Sequence, residues 1–368
     1  MEVVGRAGIV GGGIAGLGAA IALRAAGWDV TLYERSPEFT EVGAGITLAA
    51  NALAALDALG VGDAVRAMGV ADRRALARNQ DGRVLIDAHI SDFVGGLVTV
   101  HRADLIAILA AAAPGECVRT GARVVRVDAD GTVETETGAV QYDLVVAADG
   151  VNSVVRRVLW PGASLVRRTG ITAWRWVLDV PAPDPVGVVL GRHGECGVVP
   201  MAGGRTYVFA SARKGITSLD HFTNWPDPVP ELIAATDRSR VVVDELVEIR
   251  VPRRLWCGHV VLVGDAGHAM RPTLGQGAGM ALEDVVTLAA HATDLRIYQD
   301  ARRRRVSAVS VVSRYGMRVT SPGSTTLAAV RDAALVATPN TLSVRMFRSV
   351  STRALGNWQP PVGRVDPQ

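Results

Sequence analysis

Residues 6–34 read RAGIVGGGIAGLGAAIALRAAGWDVTLYE, and this stretch decides the fold. An apolar run ends at Ile9 and Val10. Gly11, Gly13 and Gly16 then occupy the fixed positions of G-x-G-x-x-G, with Ile14 and Ala15 between the last two. Ala19, Ala20, Leu23 and Ala26 recur at helical spacing, and Val30, Leu32 and Tyr33 form a second strand ending at Glu34 and Arg35. The first glycine permits the tight turn, the second lets a pyrophosphate reach the backbone, and the third lets the helix pack close to the strand. The N–H groups at the helix start then face the phosphates. Glu34 stands where an acid accepts hydrogen bonds from a ribose hydroxyl. The pattern specifies a dinucleotide site without choosing between NAD and FAD. A membrane span or signal peptide is the competing reading, because residues 7–23 carry no charge. Six of those 17 residues are glycine, the run falls short of the roughly 20 apolar residues a span needs, and no basic leader precedes it.

The 368 residues suggest two domains at about 150 residues each. With 49% hydrophobic and 20% charged residues, the chain has the balance of a soluble globular protein with a substantial core. Its net charge of +3 is small, and Lys214 is the only lysine. This balance argues against a nucleic-acid or membrane partner; a cytoplasmic location follows from the sparse cysteines below, and a monomer or homodimer is expected. The basic run Arg302–Arg305 sits in a helical pattern and reads as a solvated face. Cys117, Cys196 and Cys257 are widely spaced, with no metal-ligand pattern, so buried thiols and no metal are expected.

Further along, VGAGITL at 42–48 leads into a helix through Asn51, Leu53, Leu56 and Leu59. ALARN and RVLIDA read as short strands flanking the Asp81-Gly82 turn. His101-Arg102 opens a helix to Ala113, and an arginine in a first turn hints at an anionic partner. Strands are expected at 117–119, 123–128 and 132–137. An apolar strand then ends at Asp149-Gly150, with Ser153 as N-cap and Arg156 one helical turn on. From 165 to 255 strand patterns dominate, at 169–180, 186–191, 195–201 and 205–213, and read as an inserted, mostly antiparallel sheet. Alternation puts Trp174 and Trp176 on one face and Arg175 on the other. At 259–292 the α/β pattern returns: Val260–Val263 ends at Gly264-Asp265, and Pro272, Gly275, Gln276, Gly277, Ala278 and Gly279 lead into a helix carrying Glu283 and Asp284. An acid at a strand end, then a glycine-rich helix start, suits a polyol followed by a flat ring, with amides and a helix dipole facing a developing anion. The remainder is helical, with Leu295, Tyr298, Val306, Val309, Val312 and Tyr315 as apolar points and a break at Ser321-Pro322-Gly323.

The three glycine–acid segments, in this order, resemble the single-component FAD-dependent aromatic hydroxylases of the p-hydroxybenzoate hydroxylase type. Within that group the chain is most similar to the urate, salicylate and 3-hydroxybenzoate hydroxylase branch. The resemblance covers essentially the whole chain. It implies an α/β fold, a Rossmann-like FAD-binding domain with an inserted antiparallel sheet and C-terminal helices. The expected division is 1–69, 99–164 and 256–294 for FAD, 70–98 and 165–255 for substrate, and 295–368 as the helical end. Gly11, Gly13, Gly16 and Glu34 match the adenosine site. Asp149-Gly150 with Arg156 matches a motif associated with both FAD and NAD(P)H. Gly264-Asp265 with Pro272 and Gly275–Gly277 matches the ribitol and isoalloxazine site. Gly45, Ile46 and Arg102 inherit flavin contacts. Gly279 departs from the asparagine common there. The Trp174-Arg175-Trp176 stretch is similar to a flavin-halogenase signature, but the first domain lacks the lysine a halogenase needs. The implied chemistry is hydroxylation of an electron-rich aromatic or enolic molecule through a flavin C4a-hydroperoxide, with O2 and transient NADH or NADPH. Pro272, Gly275 and Gly277 would surround the reacting part of the flavin, and no acid–base residue is obligatory. Arg175, His193, Met201, Tyr207, Phe209 and Arg213 are the pocket candidates. Epoxidation, Baeyer–Villiger oxidation, a non-oxygenating flavin dehydrogenase or reductase, and a flavin-bound ligand-binding module are the alternatives.

Overall fold

The structure, a computed structural model, describes residues 3–39, 44–94, 97–163, 165–213, 215–351 and 358–361. Val42, Gly43 and Lys214, singled out above, lie outside the described residues. The opening strand, Arg6–Val10, is buried in a six-stranded sheet between Leu144–Ala147 and Asp29–Tyr33, all parallel. Such strands must be apolar on both faces, which is why they read as continuous hydrophobic runs. The helix Ile14–Ala25 covers one face and packs against the helix Gly277–His291, with Leu17, Leu23, Leu282 and Val285 in the shared core. The other face is closed by Val127, Val133, Tyr142 and Trp160. The first two lie in a three-stranded antiparallel sheet whose last strand, Gly138–Gln141, the sequence reading missed.

The second large sheet has seven strands, in the order Val242–Ile249, Val166–Leu178, Arg205–Arg213, Gly194–Met201, Val186–Leu190, Arg74–Asn79 and Val84–His89. Only the pair Val186–Leu190 and Arg74–Asn79 runs parallel. The expected strand at 169–180 is observed at 166–178, and its neighbour at 242–249 was not foreseen. Trp174 and Trp176 are core residues. They face Phe222 and Trp225 from the segment packed beneath the sheet, with Trp174 edge-on to Phe222 at 5.8 Å. The opposite face carries Arg175, Tyr207, Phe209 and Ser211 and looks toward the parallel sheet. Between them lies a two-stranded antiparallel ladder in which Gly45 pairs with His101 and Thr47 with Thr99.

The long helix Leu295–Thr320 is capped by Asp294, which accepts from the Arg296 N–H at 3.0 Å. It turns Tyr298, Val306, Val309 and Met317 inward, whereas Tyr315 is half exposed. The basic run corrects the expectation of a solvated face. Helical spacing carries Arg302 inward with Tyr298 and Val306, and Arg302 is fully buried against Glu283 and Asp284. Arg305 binds Glu283 too, and Arg304 alone of the four is exposed. The thiols need a smaller correction: Cys117 and Cys196 are buried, but Cys257 is half-buried near the sheet edge. Among the described residues no helix is long and apolar enough to cross a membrane.

Candidate functional site

The turn after the first strand is built by exclusion. Gly11 has φ +102°, and a Cβ on it would lie 2.6 Å from the Ala148 carbonyl oxygen. On Gly16 a Cβ would lie 1.8 Å from the Gly11 oxygen. Gly13 differs, since a Cβ there meets nothing within 4 Å. The helix that follows has no side-chain cap, so the amides of its first turn, which includes Ile14 and Ala15, lack a side-chain acceptor at that open side. Glu34 is held at the strand end by the Gly12 N–H at 2.6 Å and the Ser36 N–H at 2.8 Å. Arg35 beside it is exposed.

Asp149 stands at the end of the neighbouring parallel strand. One carboxylate oxygen accepts from the Val154 N–H at 2.7 Å, and the other is buried without a partner. Ser153 caps the next helix through the Arg156 N–H at 2.9 Å, as expected. Gly150 has φ +76° and open space where a Cβ would stand. Arg156 itself is fully buried. Its guanidinium donates to the Ala266 carbonyl at 2.8 Å and to the Val151 carbonyl, tying this loop to the Gly264-Asp265 loop.

Gly264 has φ +55°, and Asp265 follows with its side chain exposed and without a hydrogen bond among the described residues. The Pro272–Leu274 turn ends at Gly275 in the left-handed region, where a Cβ would lie 2.8 Å from the Thr47 hydroxyl. The helix Gly277–His291 begins without a side-chain cap, and nothing lies within 4 Å of a Cβ on Gly277. Ala278 is half-buried beside it. Around Gly279 the space is taken by two amides, Asn51 Nδ2 and Gln276 Oε1, each 3.0 Å from where a Cβ would stand. Asn51 donates to Gln276 at 2.9 Å and to Glu283 at 2.7 Å. Glu283 binds Arg302, which binds Asp284 at 2.7 Å, and Asp284 accepts from the Gly264 N–H at 2.9 Å and meets His268 Nε2 at 2.5 Å. Burial alone would raise the Asp284 carboxyl, but His268 and Arg302 hold it below its ordinary range. One buried ionic chain therefore braces the two loops at either end of the third motif.

The cleft lies between these loops and the large sheet. Gly45 meets the ring of Tyr207 so closely that a Cβ would stand 2.3 Å from it. Ile46, its neighbour, turns to the core. Phe209 lies 6.0 Å from Tyr207, and Arg175 shares their face through the pairings Arg175–Phe209 and Val177–Tyr207. Arg175 binds Asp244 and keeps a buried Nε without a partner. Burial pushes the Tyr207 phenol up to about 12. Met201 is buried two pairs along from Tyr207, opposite Arg205. The other two pocket candidates lie apart. Arg213 is six residues beyond Tyr207 on the same strand, about 20 Å at strand rise, and donates to the Ser321 carbonyl at 2.5 Å. His193 is at that same end, where burial and the charges of Arg192 and Arg213 hold its imidazole below its usual range. Arg102 opens its helix, exposed, and its backbone N–H donates to Ala44 at 2.9 Å. Thr47, Thr99, Val199 and Asn51 were missed. Alternation marks the faces of the three strand residues and helical spacing that of Asn51, but no local signal says which elements meet.

FAD fits this arrangement: open space at Gly13, Gly150 and Gly277, two uncapped helix starts, an orphaned Asp149 oxygen, and an exposed Asp265.

Comparison with known proteins agrees. Residues 5–295 match the family model described as FAD binding domain. The chain is 37% identical over 303 residues to aurachin C monooxygenase/isomerase of Stigmatella aurantiaca, covering 76% of this chain and 79% of that one. It is 36% identical over 328 residues to 2-heptyl-3-hydroxy-4(1H)-quinolone synthase of Mycobacteroides abscessus, covering 82% and 84%. The structure of Klebsiella pneumoniae HpxO with FAD and uric acid superposes with a TM-score of 0.86 at 27% identity, covering 97% of this chain and 98% of that one.

Proposed function

The chain belongs to the FAD-dependent aromatic monooxygenases, and from that premise we propose that it consumes NADH or NADPH and O2 to hydroxylate an electron-rich aromatic or enolic ring. The balance is one substrate C–H, one O2, one NAD(P)H and one proton, giving the hydroxylated product, water and NAD(P)+. The cleft carries this reading: Gly45 lies against the ring of Tyr207, and two residues on Thr47 touches the position of a Gly275 side chain, just before the uncapped helix start at Gly277.

Bound FAD supplies the electron transfer and oxygen activation. The chain does the rest. The Gly11–Gly16 turn and the amides at Ile14 and Ala15 bind the pyrophosphate, Glu34 the ribose and Asp265 the ribitol chain. The backbone at Gly45, Gln276, Gly277, Ala278 and Gly279 borders the ring, and the helix dipole at Gly277 favours negative charge there. Pro272 and Gly275 shape the reacting side. Tyr207, Phe209 and Met201 exclude water from it. Arg175, with one free buried N–H, orients an acidic or phenolic substrate. The parallel sheet and its helices hold FAD, the large sheet holds substrate, and the C-terminal helices brace both.

The test is a visible spectrum of the purified protein, then NADH and NADPH oxidation with phenols, purines and quinolones under labelled O2. A flavin spectrum and a product one labelled oxygen heavier are expected. NAD(P)H oxidation with no oxygen in any product, or no flavin after reconstitution, overturns the reading.

A further inference from the structure

A pocket of about 150 Å³ opens beside the cleft and is not part of the cofactor site. Its inner wall is Thr99, Leu97, Val199 and Pro200, and its outer wall Val70 and Ile90. Two cross-strand pairs connect it to the reacting end. Thr99 pairs with Thr47, whose hydroxyl touches the position a Gly275 side chain would take. Val199 pairs with Tyr207, whose ring lies on Gly45. Paired residues share a face and stand about 5 Å apart, so the pocket begins one side chain beyond the ring site. The walls are apolar. Polarity is confined to Thr99 within and to the rim, where Asp72 accepts from the Ser91 N–H at 3.0 Å and hydroxyl at 2.6 Å. Those bonds, with His89 Nδ1 at 3.3 Å, hold the Asp72 carboxyl below its ordinary range, so the rim carries a carboxylate. An apolar cavity of this size takes a benzene-sized guest.

We propose that this pocket is a substrate subsite for an apolar substituent of about six carbons on the ring that is hydroxylated, and that it rejects an acidic tail. The proposal rests on the ring-hydroxylase reading above. The product in one relative's name carries a heptyl chain on a quinolone ring.

The experiment uses the FAD-loaded enzyme and 4(1H)-quinolones bearing hydrogen, methyl, propyl, pentyl, heptyl or nonyl at position 2, plus a chain ending in carboxylate. Binding is read from the spectrum of the bound flavin and turnover from oxygenated product. Affinity should rise up to about fourfold per methylene to roughly six carbons, then level off. The carboxylate-ended chain should bind at least tenfold more weakly than its methyl-ended counterpart. Val199→Trp fills the pocket from within and should cost the long-chain members at least tenfold more than the unsubstituted ring. Ala71 also lines the outer wall and is exposed, so Ala71→Phe blocks the pocket where folding is not at issue and should do the same. A flat response to chain length, with the unsubstituted ring bound and oxygenated, overturns the subsite alone. So does a chain-length slope that survives both variants. Failure of every quinolone, the unsubstituted ring included, to bind or be oxygenated overturns the ring-hydroxylase reading for this class and the subsite with it.

Discussion

At the nucleotide end, a Cβ added to Gly13, Gly150 or Gly277 meets nothing within 4 Å. At the sheet interface, one added to Gly45 would stand 2.3 Å from the ring of Tyr207, and one added to Gly197 would stand 2.1 Å from that of Phe209. The same residue type therefore marks two kinds of space. In the first the protein leaves room, and two of the helix starts there have no side-chain cap. In the second the protein fills the room itself, so that an aromatic ring can lie flat on a strand and wall off the cleft. The sequence shows glycine in both places, and only the neighbours separate open space from packing space.

Four substitutions probe that difference, in descending order of effect. Gly16→Ala places its Cβ 1.8 Å from the Gly11 carbonyl oxygen, a backbone atom that cannot turn aside. It should lose more than nine-tenths of the bound flavin and several kcal/mol of stability, well above an ordinary overpacking cost of about 1–3 kcal/mol. Flavin content at wild-type level would show that the turn is not held by that contact. Gly45→Ala pushes on a ring rather than on backbone, so about 1–3 kcal/mol is expected in urea unfolding, with most of the clash relieved in combination with Tyr207→Ala. Strict additivity of the two changes would mean the ring does not rest on the glycine. Gly13→Ala has no protein atom to meet. The apoprotein should unfold within about 1 kcal/mol of wild type while FAD binds at least tenfold more weakly, a loss of about 1.4 kcal/mol or more. Equal loss in both measurements would place Gly13 with the packed glycines.

The smallest effect tests the far end of the same sheet face, where Glu195 is buried with Ser211 Oγ at 3.4 Å. Burial pushes its carboxyl up, so the folded state favours the protonated form. Stability from that preference is full below the ordinary carboxylate pKa of about 4.3 and is lost as pH rises through the higher folded value. Glu195→Gln should therefore gain on wild type between pH 4 and pH 8, read as the difference in urea midpoints at the two values. An unchanged difference would mean that the carboxylate ionises freely inside the fold.

Much of the nucleotide end was legible because its signals are local. Turn glycines, the Ser153 cap and an acid at a strand end depend on neighbours a few residues away. The cleft was only partly legible. Alternation placed Arg175 opposite Trp174 and Trp176, and Tyr207 and Phe209 came out facing the ladder. The same rule could not say that Arg213 and His193 stand about 20 Å along the strand from Tyr207, next to the end of a helix. The basic run at 302–305 was misread for a related reason. A charge run on a helix is usually solvated, and burying one arginine requires acids to meet it. Those acids are on the preceding helix, where Glu283 and Asp284 were visible in sequence but not their orientation.

The sequence by itself determined that the chain makes a dinucleotide turn, where its three glycine–acid segments fall, and that an antiparallel sheet interrupts the α/β pattern. Chain geometry dictates these features residue by residue. Tertiary structure alone decided that Gly45 lies under Tyr207, that Thr99 and Val199 line a pocket beside the cleft, and that Arg302 closes a buried ionic chain behind the third motif. Each of these joins segments far apart in the chain, and a side-chain period of 2 or 3.6 says which face a residue occupies but not which partner will cover it.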